Sequence, residues 1–245
     1  MFHTTRGIVL RTVKYGETSI ITNVYTELFG VQSYIVKGVR KSSKTSAGKA
    51  SYFIPAALIE MEVQHNTQRQ LQFIREYQWS HLYENLFFDV VKNTVSVYLM
   101  ELLQHALKEP EPNPSLYYFV EDTLKKLDTA NDAFGANLPL YFMLHLASEL
   151  GFQLLGSYSE QTPVFDLREG MFIAEQPAHP YFIEGLLAKT TSELLHLQNS
   201  NELEVLILNR SVRRELLTAY QTFMALHIQD FGEIKSLPIL QEVLS

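Results

Sequence analysis

Residues 6–49 read RGIVLRTVKYGETSIITNVYTELFGVQSYIVKGVRKSSKTSAGK, and this stretch decides the fold of the N-terminal part of the chain. It contains three runs rich in β-branched residues, at about 7–13, 18–26 and 31–37, which are separated by Tyr15-Gly16 and by Gly30. Such runs between turn residues predict β-strands. The stretch ends in a basic, serine-rich loop that extends to about residue 51.

Two further strand-like runs follow at 57–63 and 71–77, with a polar turn, His65–Gln68, between them. Five short strands in about eighty residues predict a small barrel, closed or partly open, because a single sheet of this size would leave its edges exposed. After Trp79 the hydrophobic period changes from two to about 3.6, which predicts helices. The fold class is therefore α+β, with a barrel domain over residues 1–80 and an α-helical domain over residues 81–245.

The helical part has recognisable starts and stops. Asn113 followed by Pro114 is typical of an N-cap and a first helical residue, and Gly151 is typical of the residue just after a helix. We expect Ser211 to cap a late helix. The predicted helices cover 89–108, 113–127, 138–150, 183–197, 211–228 and 238–244, and residues 164–173 (VFDLREGMFI) predict a small β-hairpin.

Charge is segregated along the chain. Residues 1–80 hold ten basic and five acidic residues, a balance of +5, whereas the remaining 165 hold ten basic and twenty-two acidic, a balance of −12, so the total is −7. No acidic residue lies between Glu27 and Glu60, although five cations do. Clustered cations of this kind favour contact with a polyanion such as nucleic acid.

Composition excludes several classes of protein. Hydrophobic residues make up 46% and charged residues 19% of the chain, which favours a compact fold over disorder. The chain has no cysteine, so it has no disulfide, no thiolate metal site and no cysteine nucleophile. Neither a signal peptide nor a membrane-spanning run is recognisable. We therefore expect a soluble cytoplasmic protein.

Several stretches resemble the RecO family of bacterial DNA-repair proteins. The resemblance runs through the whole chain in order and is most specific in the first 45 residues. Its residues are Arg6–Leu10, Tyr15–Glu17, Thr26-Glu27 with Gly30, Lys37–Ser42, Leu150–Phe152, Arg210–Arg214 with Tyr220 and His227, and Lys235–Leu237.

The resemblance implies an N-terminal five-stranded OB-fold and a helical C-terminal domain. It also implies binding of single- and double-stranded DNA, strand annealing, and loading of the RecA recombinase together with RecR. A further implied partner is the acidic tail of the single-stranded-DNA-binding protein. The family suggests no catalytic role, and we expect no cofactor and no membrane partner.

One departure from the family concerns zinc. Many members carry a four-cysteine zinc site within the stretch that is 151–180 here, but this stretch offers only His179 with Asp166, Glu169 and Glu175. A structural zinc site usually needs four closely spaced nitrogen or sulfur ligands, so we predict that no metal is bound. The hairpin is then expected to be held by packing of Val164, Phe165, Met171 and Phe172.

The candidate DNA-binding residues are cations. Those in the serine-rich loop offer several donors to phosphate oxygens, although a solvated loop that merely aids solubility is the simpler alternative. Three arginines lie near a helix start, where positive charge is unfavourable to the helix dipole. This placement favours an anionic partner, but three solvated arginines are an equally good explanation. The set is Lys37, Arg40, Lys41, Lys44 and Lys49 in the loop, with Arg210, Arg213 and Arg214.

Aromatic residues on the strands could stack on bases, as in other OB-folds, although most aromatics at such positions pack in the core. We select Tyr15 and Tyr34 as candidates for stacking. No enzyme motif is recognisable: residues 43–50 lack the first glycine and the final Ser/Thr of a phosphate-binding P-loop, and the eight histidines show no ligand spacing.

Two functional hypotheses remain from the sequence. The first is a non-catalytic recombination mediator that binds DNA through the basic loop. The second is a protein-interaction adaptor, with RecR as the expected partner, whose own DNA binding is weak or incidental; the acidic helical part favours it. A hydrolase or transferase is a third class that no motif supports.

Overall fold

The N-terminal strands close into a barrel. The computed structural model describes residues 2–40 and 48–244. Its barrel has the strand order β1-β2-β3-β5-β4, in which β3 and β5 are parallel and the other pairs antiparallel. The predicted five-stranded OB-fold barrel is confirmed. The strands are β1 (Phe2–Tyr15), β2 (Ser19–Thr26), β3 (Gly30–Val36), β4 (Leu58–Gln64) and β5 (Leu71–Trp79).

The long first strand closes the barrel because it serves two partners. Residues 2–8 pair with β4 and residues 7–15 pair with β2, and an irregularity between Val9 and Arg11 bends the strand at the change of partner. Alternate side chains then point inward, where Val9, Val24 and Ile59 are fully buried in the barrel core. This parity determines which residues remain on the outer surface.

The barrel core also holds both ends of the serine-rich loop. Val39, just before the loop, and Phe53, at the end of a short 3-10 helix (Lys49–Phe53), are both buried in the core. Tyr52 of the same helix stacks on Trp79 with 4.7 Å between ring centroids. Val39 and Phe53 are thus fixed by packing in the barrel core.

The rest of the chain is mainly helical, with a small second sheet. The helices are α1 (Val90–Ala106), α2 (Pro114–Thr129), α3 (Asp132–Glu149), α4 (Gly185–Leu195), α5 (Arg210–His227) and α6 (Leu237–Val243), and the strands are β6 (Val164–Asp166), β7 (Met171–Ile173) and β8 (Phe182–Glu184). No helix among the described residues has the length and apolar character needed to span a membrane.

Local signals define most helix ends. The side chain of Asn113 accepts a hydrogen bond from the N–H of Leu116, as expected of the cap of α2. Gly151 has φ +85°, and the N–H of Phe152 donates to Ala147, which closes α3 as predicted. The predicted Ser211 cap is wrong. Asn209 caps α5 by accepting from Val212, because the helix starts one residue earlier than predicted.

The small sheet has the strand order β7-β6-β8. The predicted hairpin is confirmed, but the predicted helix from residue 183 is wrong at its start. Ile183 pairs with Phe165 as the middle of β8, and the helix begins only at Gly185. Val164, Phe165 and Phe172 are buried as expected, whereas Met171 is exposed and does not hold the hairpin.

The chain forms two compact groups of residues. The barrel unit comprises residues 1–89 and 99–129 and contains thirteen basic and thirteen acidic residues. The helical unit comprises residues 90–98 and 130–245, with seven basic and fourteen acidic residues, a balance of −7. The division of the chain into domains at residues 80 and 81 remains a prediction.

Within the barrel unit, ion pairs fasten helix α2 to the strands. The Arg6 guanidinium donates to both carboxylate oxygens of Glu27 at 3.1 Å and to Tyr118 at 2.9 Å, and it lies 3.4 Å from Glu121. The hydrogen bond from Arg6, followed by that from Tyr118, lowers the pKa of Glu27. The network therefore favours the ionised carboxylate in the folded protein.

Candidate nucleic-acid interface

One outer face of the barrel carries a continuous row of apolar side chains. The strand register places Val13 opposite Ile21, Ile21 opposite Ile35, and Ile35 opposite Phe73. Residues directly opposite each other in a sheet share a face. These four residues, the apolar row, therefore cross β1, β2, β3 and β5 on the outside of the barrel. Val13 and Phe73 are exposed, with 41% and 40% of their surfaces accessible.

Cations border the apolar row. The Lys37 ammonium lies 5.6 Å from the centroid of the Phe73 ring, which is within cation–π distance. On the other side of the row, Arg11 pairs in register with Asn23, which accepts a hydrogen bond from Ser33. Arg11 and Lys37 are both exposed. The face thus combines an exposed aromatic ring with positive charge.

The turn between β1 and β2 extends this surface. Arg40 donates from its side chain to the carbonyl of Gly16 at 3.1 Å and from its backbone N–H to Thr18 at 3.1 Å. Tyr15 stands exposed at the same turn. Glu17 also lies there, but within the described residues it forms no ion pair with these cations. We call the apolar row, Arg11, Tyr15, Lys37 and Arg40 together the DNA face.

The predicted cations have different surroundings. Lys37 and Arg40 lie on the DNA face, and Lys49 is exposed at the start of the 3-10 helix. Lys41 and Lys44 lie outside the described residues. Arg210, Arg213 and Arg214 belong to α5 of the helical unit.

The three arginines of α5 differ from one another. Arg210 and Arg214 are exposed, whereas Arg213 is half-buried and donates to the carbonyl of Leu208 at 2.7 Å. Burial lowers the pKa of Arg213. Arg214 lines an apolar groove of about 480 Å³ between α5 and residues 180–183, which also includes Glu215. Of the three, Arg210 and Arg214 are placed to meet an external anion.

The prediction that Tyr34 stacks on DNA is wrong. Tyr34 is fully buried, and it pairs in register with Thr22 and Gln72, both of which point into the barrel. Burial raises the pKa of its hydroxyl. Phe73, the neighbour of Gln72, is exposed instead, since the next residue along a strand points to the opposite face.

A second outer face of the barrel, on β4 and β5, is acidic. Glu62 and Glu76 lie opposite each other on β4 and β5, and Glu60 is two residues away on the same side. Arg75 forms an ion pair with Glu62 at 3.2 Å, and Gln78 donates to Glu60 at 2.7 Å. The negative charge of this acidic face is unfavourable to a phosphate backbone.

Two domain families match the chain and together cover most of it. The model of the recombination protein O N-terminal domain matches residues 1–83, and that of the recombination protein O C-terminal domain matches residues 88–238. The chain belongs to the RecO family. Members of this family are DNA repair proteins.

Individual RecO proteins align over nearly the whole chain. Each of the following relatives is described as DNA repair protein RecO. The protein of Flavobacterium psychrophilum is 31% identical over 246 residues, with 98% of each chain covered. That of Bacteroides fragilis is 31% identical over 245 residues, with 99% of each covered. That of Azobacteroides pseudotrichonymphae is 28% identical over 243 residues, again with 99% of each covered.

The stretch considered for zinc is organised by a carboxylate. One oxygen of the buried Asp166 accepts from the backbone N–H groups of Arg168 and Glu169, and the other lies 3.4 Å from Nε2 of His179. Within the described residues, no group of three or more histidine or acidic side chains is placed to hold a metal. The donor set therefore does not fit a tetrahedral zinc site.

Sequence reasoning missed Arg11 and the apolar row. The alternation of β2 correctly separates Ile20, Thr22 and Val24 from Ile21 and Asn23. The pairing of Ile21 with Ile35 and Phe73 is set by barrel register, which no local pattern reveals. The local pattern points the other way, because the polar Gln72 takes the inward position and the aromatic Phe73 the outward one.

Proposed function

We propose that this RecO-family chain is a DNA-binding recombination mediator that anneals complementary strands and, together with RecR, loads RecA. The observation that carries the proposal is the DNA face: an exposed aromatic ring and apolar row on an OB-fold, bordered by cations that pair with no carboxylate among the described residues. OB-folds bind oligonucleotides on this strand surface and on its adjoining loops.

Single-stranded DNA suits the DNA face better than a duplex does. Unpaired bases can stack on Phe73 and Tyr15 while Lys37, Arg11 and Arg40 neutralise phosphates. A duplex keeps its bases stacked inside, so it gains only the phosphate contacts, and we infer that double-stranded DNA binds more weakly. None of these contacts reads a base edge, so binding is independent of sequence.

Annealing follows from the same chemistry. Two strands held near one cationic surface repel each other less, because their phosphates are partly neutralised. Lys49, which is exposed, would contribute a further cation, and Lys41 and Lys44 remain candidate DNA-binding residues from the sequence. Complementary bases could then pair at high local concentration without sequence readout by the protein.

The helical unit is the proposed site of protein partners. The groove beside α5 offers an apolar surface with Arg214 at its edge, and Arg210 is exposed nearby in sequence. Such a groove suits the acidic tail of the single-stranded-DNA-binding protein, because an arginine at the rim complements a carboxylate. Contacts with RecR and, through it, RecA complete the proposed assembly.

The adaptor alternative is favoured by one observation, the −7 balance of the helical unit. That charge repels DNA and would weaken binding by the isolated chain. The two functions can coexist, since a weak DNA-binding surface gains effective affinity within a complex.

Fluorescence anisotropy of a labelled single-stranded oligonucleotide at several salt concentrations tests the proposal. We expect the logarithm of affinity to fall with the logarithm of salt with a slope of about −0.7 per phosphate contact, or about −3.5 if five contacts form. The variants Lys37→Glu/Arg40→Glu and Arg40→Glu/Lys41→Glu/Lys44→Glu should lose most of this binding. Arg75→Gln, an exposed residue outside the DNA face, is the matched control.

The outcome separates the two hypotheses. Salt-dependent binding that is lost in the DNA-face variants and kept in Arg75→Gln supports the mediator. No binding by the isolated chain, together with capture of RecR by all variants, would favour the adaptor. Annealing of complementary oligonucleotides, and RecA assembly on DNA coated with the single-strand-binding protein, then test the later steps with the same variants.

A further inference from the structure

A groove of about 770 Å³ lies at the end of the DNA face where β3 and β5 begin. Its walls come from the β4–β5 loop (65–70) with Gln72 of β5, the β2–β3 region (28–33) and the segment after α1 (107–112). We call it the β4–β5 groove. Its volume is within the range of roughly 300–1,000 Å³ that is typical of ligand pockets.

The wall formed by the β4–β5 loop is held from inside. The buried side chain of Gln72 accepts from the N–H of Asn66 and donates to the carbonyls of Asn66 and Arg69, at 2.6–3.0 Å. The side chain of Asn66 in turn accepts from the N–H of Gln68 at 2.9 Å. These bonds fix the loop backbone, so the side chains of Gln68, Arg69 and Gln70 stand outward on a defined turn.

The opposite wall is fixed as well. Gly30 has φ +62° and approaches the Glu111 backbone so closely that a Cβ atom there would collide with the Glu111 carbonyl. The Tyr25 hydroxyl donates to the carbonyl of Asn113 at 3.0 Å. Both walls are therefore preorganised, which reduces the entropy cost of binding a ligand.

A pair of stacked rings lines the groove. Phe29 and His65 lie parallel, with 4.0 Å between ring centroids and 11° between ring planes. Burial, and secondarily the nearby His3, lowers the pKa of His65, so its imidazole is neutral at neutral pH. A neutral planar pair can be extended by a third flat ring, which is the geometry of a stacked nucleobase.

The charge of the groove suits a phosphate. Arg69 lines one wall and Lys108 the other, and none of the residues lining the groove is acidic. Glu109 and Glu111 belong to the same segment as Lys108 but do not line the groove. Within the described residues, no carboxylate forms an ion pair with Arg69.

The groove continues the DNA face. Ser33 lines the groove and pairs with Leu71, while the neighbouring pair Ile35 and Phe73 belongs to the apolar row. We propose that a single strand leaving the DNA face places one nucleotide in the β4–β5 groove, with the base on the Phe29–His65 pair and the phosphate between Arg69 and Lys108. The inference rests on the proposed function and extends its binding site.

The test is a titration of full-length protein with oligothymidylates of about 4 to about 20 nucleotides, compared between wild type and groove variants. For Arg69→Gln/Lys108→Gln we expect unchanged binding of the shortest oligonucleotides that bind. Long ones should bind about tenfold more weakly, and the salt slope should be smaller by about 0.7, because one phosphate contact is lost. His65→Ala should lower affinity for long oligonucleotides and remove the quenching of a 2-aminopurine placed in the groove.

Controls keep the outcomes distinct. Arg69→Gln changes only an exposed side chain, and the fluorescence of Trp79 reports whether each variant is folded. This inference would be overturned if the groove variants bound oligonucleotides of every length as tightly as wild type does. If binding were still lost in Lys37→Glu/Arg40→Glu, the proposed function would remain intact. Unchanged DNA binding with weakened RecR binding would assign the groove to a protein and overturn this inference too. No DNA binding by the wild type would remove both.

Discussion

Two outer faces of the barrel use charge in opposite ways: the DNA face crosses β1, β2, β3 and β5, and the acidic face lies on β4 and β5. On the acidic face, Glu62 pairs with Arg75 and Glu60 accepts from Gln78, and the nearby Arg6 is bound to Glu27 and Glu121. Within the described residues, the cations of the DNA face form no ion pair. Charges that are paired inside the molecule contribute to structure, whereas unpaired ones remain available to an external polyanion.

The aromatic residues show the same contrast at the level of single positions. Tyr34 and Ile35, and likewise Gln72 and Phe73, are neighbours in sequence, yet one of each pair is buried in the barrel and the other lies on the DNA face. Strand parity alone separates a core residue from a binding residue. Substitutions at these positions should therefore affect either stability or DNA affinity.

The largest effect is expected for the core position. Tyr34→Ala should lower the free energy of unfolding by about 3–5 kcal/mol, because it removes a fully buried ring. Tyr34→Phe is the matched control: the buried hydroxyl has no hydrogen-bond partner among the described residues, so its removal should leave stability unchanged or higher. Urea unfolding followed by Trp79 fluorescence measures both. Equal, small losses in the two variants would place Tyr34 outside the core.

The sequence predicts the elements better than their register. Five strands, the Asn113 cap and the Gly151 stop follow from local chemistry, since turn residues and caps act within a few positions. The prediction that Tyr34 rather than Phe73 stacks on DNA was wrong. Which residues of a strand point inward depends on long-range pairing of β3 with β2 and β5. The strand at 182–184 was missed because its partner, β6, lies about twenty residues earlier.

The next effect concerns the exposed ring of the DNA face. Phe73→Ala should weaken binding of single-stranded DNA by about 1–3 kcal/mol, since one stacked base loses its platform. Stability should change by less than about 1 kcal/mol, because the ring is exposed. Anisotropy and urea unfolding of the same sample measure the two quantities. The parity argument would fail if Phe73→Ala unfolded the barrel while retaining affinity.

The ion pair between Arg6 and Glu27 should make the free energy of unfolding depend on pH. The pKa of Glu27 is lowered from an ordinary value of 4.5, so its ion pair with Arg6 stabilises the fold above about pH 4.5, and this contribution is lost as pH falls below that value. Glu27→Gln should therefore be less stable than wild type at pH 7, by about 1–2 kcal/mol, and should lose less stability between pH 5 and pH 3. Unfolding curves at several pH values measure both effects. Parallel pH profiles for the two proteins would show that Glu27 titrates normally.

The smallest effect is expected on the acidic face. It tests directly whether paired and unpaired charges have different roles on the two faces. Glu62 and Glu76 lie directly opposite each other, so Glu76→Gln should relieve a like-charge contact and raise stability by a few tenths of a kcal/mol. Glu62→Gln removes the partner of Arg75 and should not give this gain. Because the face is already unfavourable to phosphates, neither variant should weaken DNA binding. Loss of affinity in Glu76→Gln would mean that the acidic face contributes to the DNA site, and the division into paired and unpaired charge would not hold.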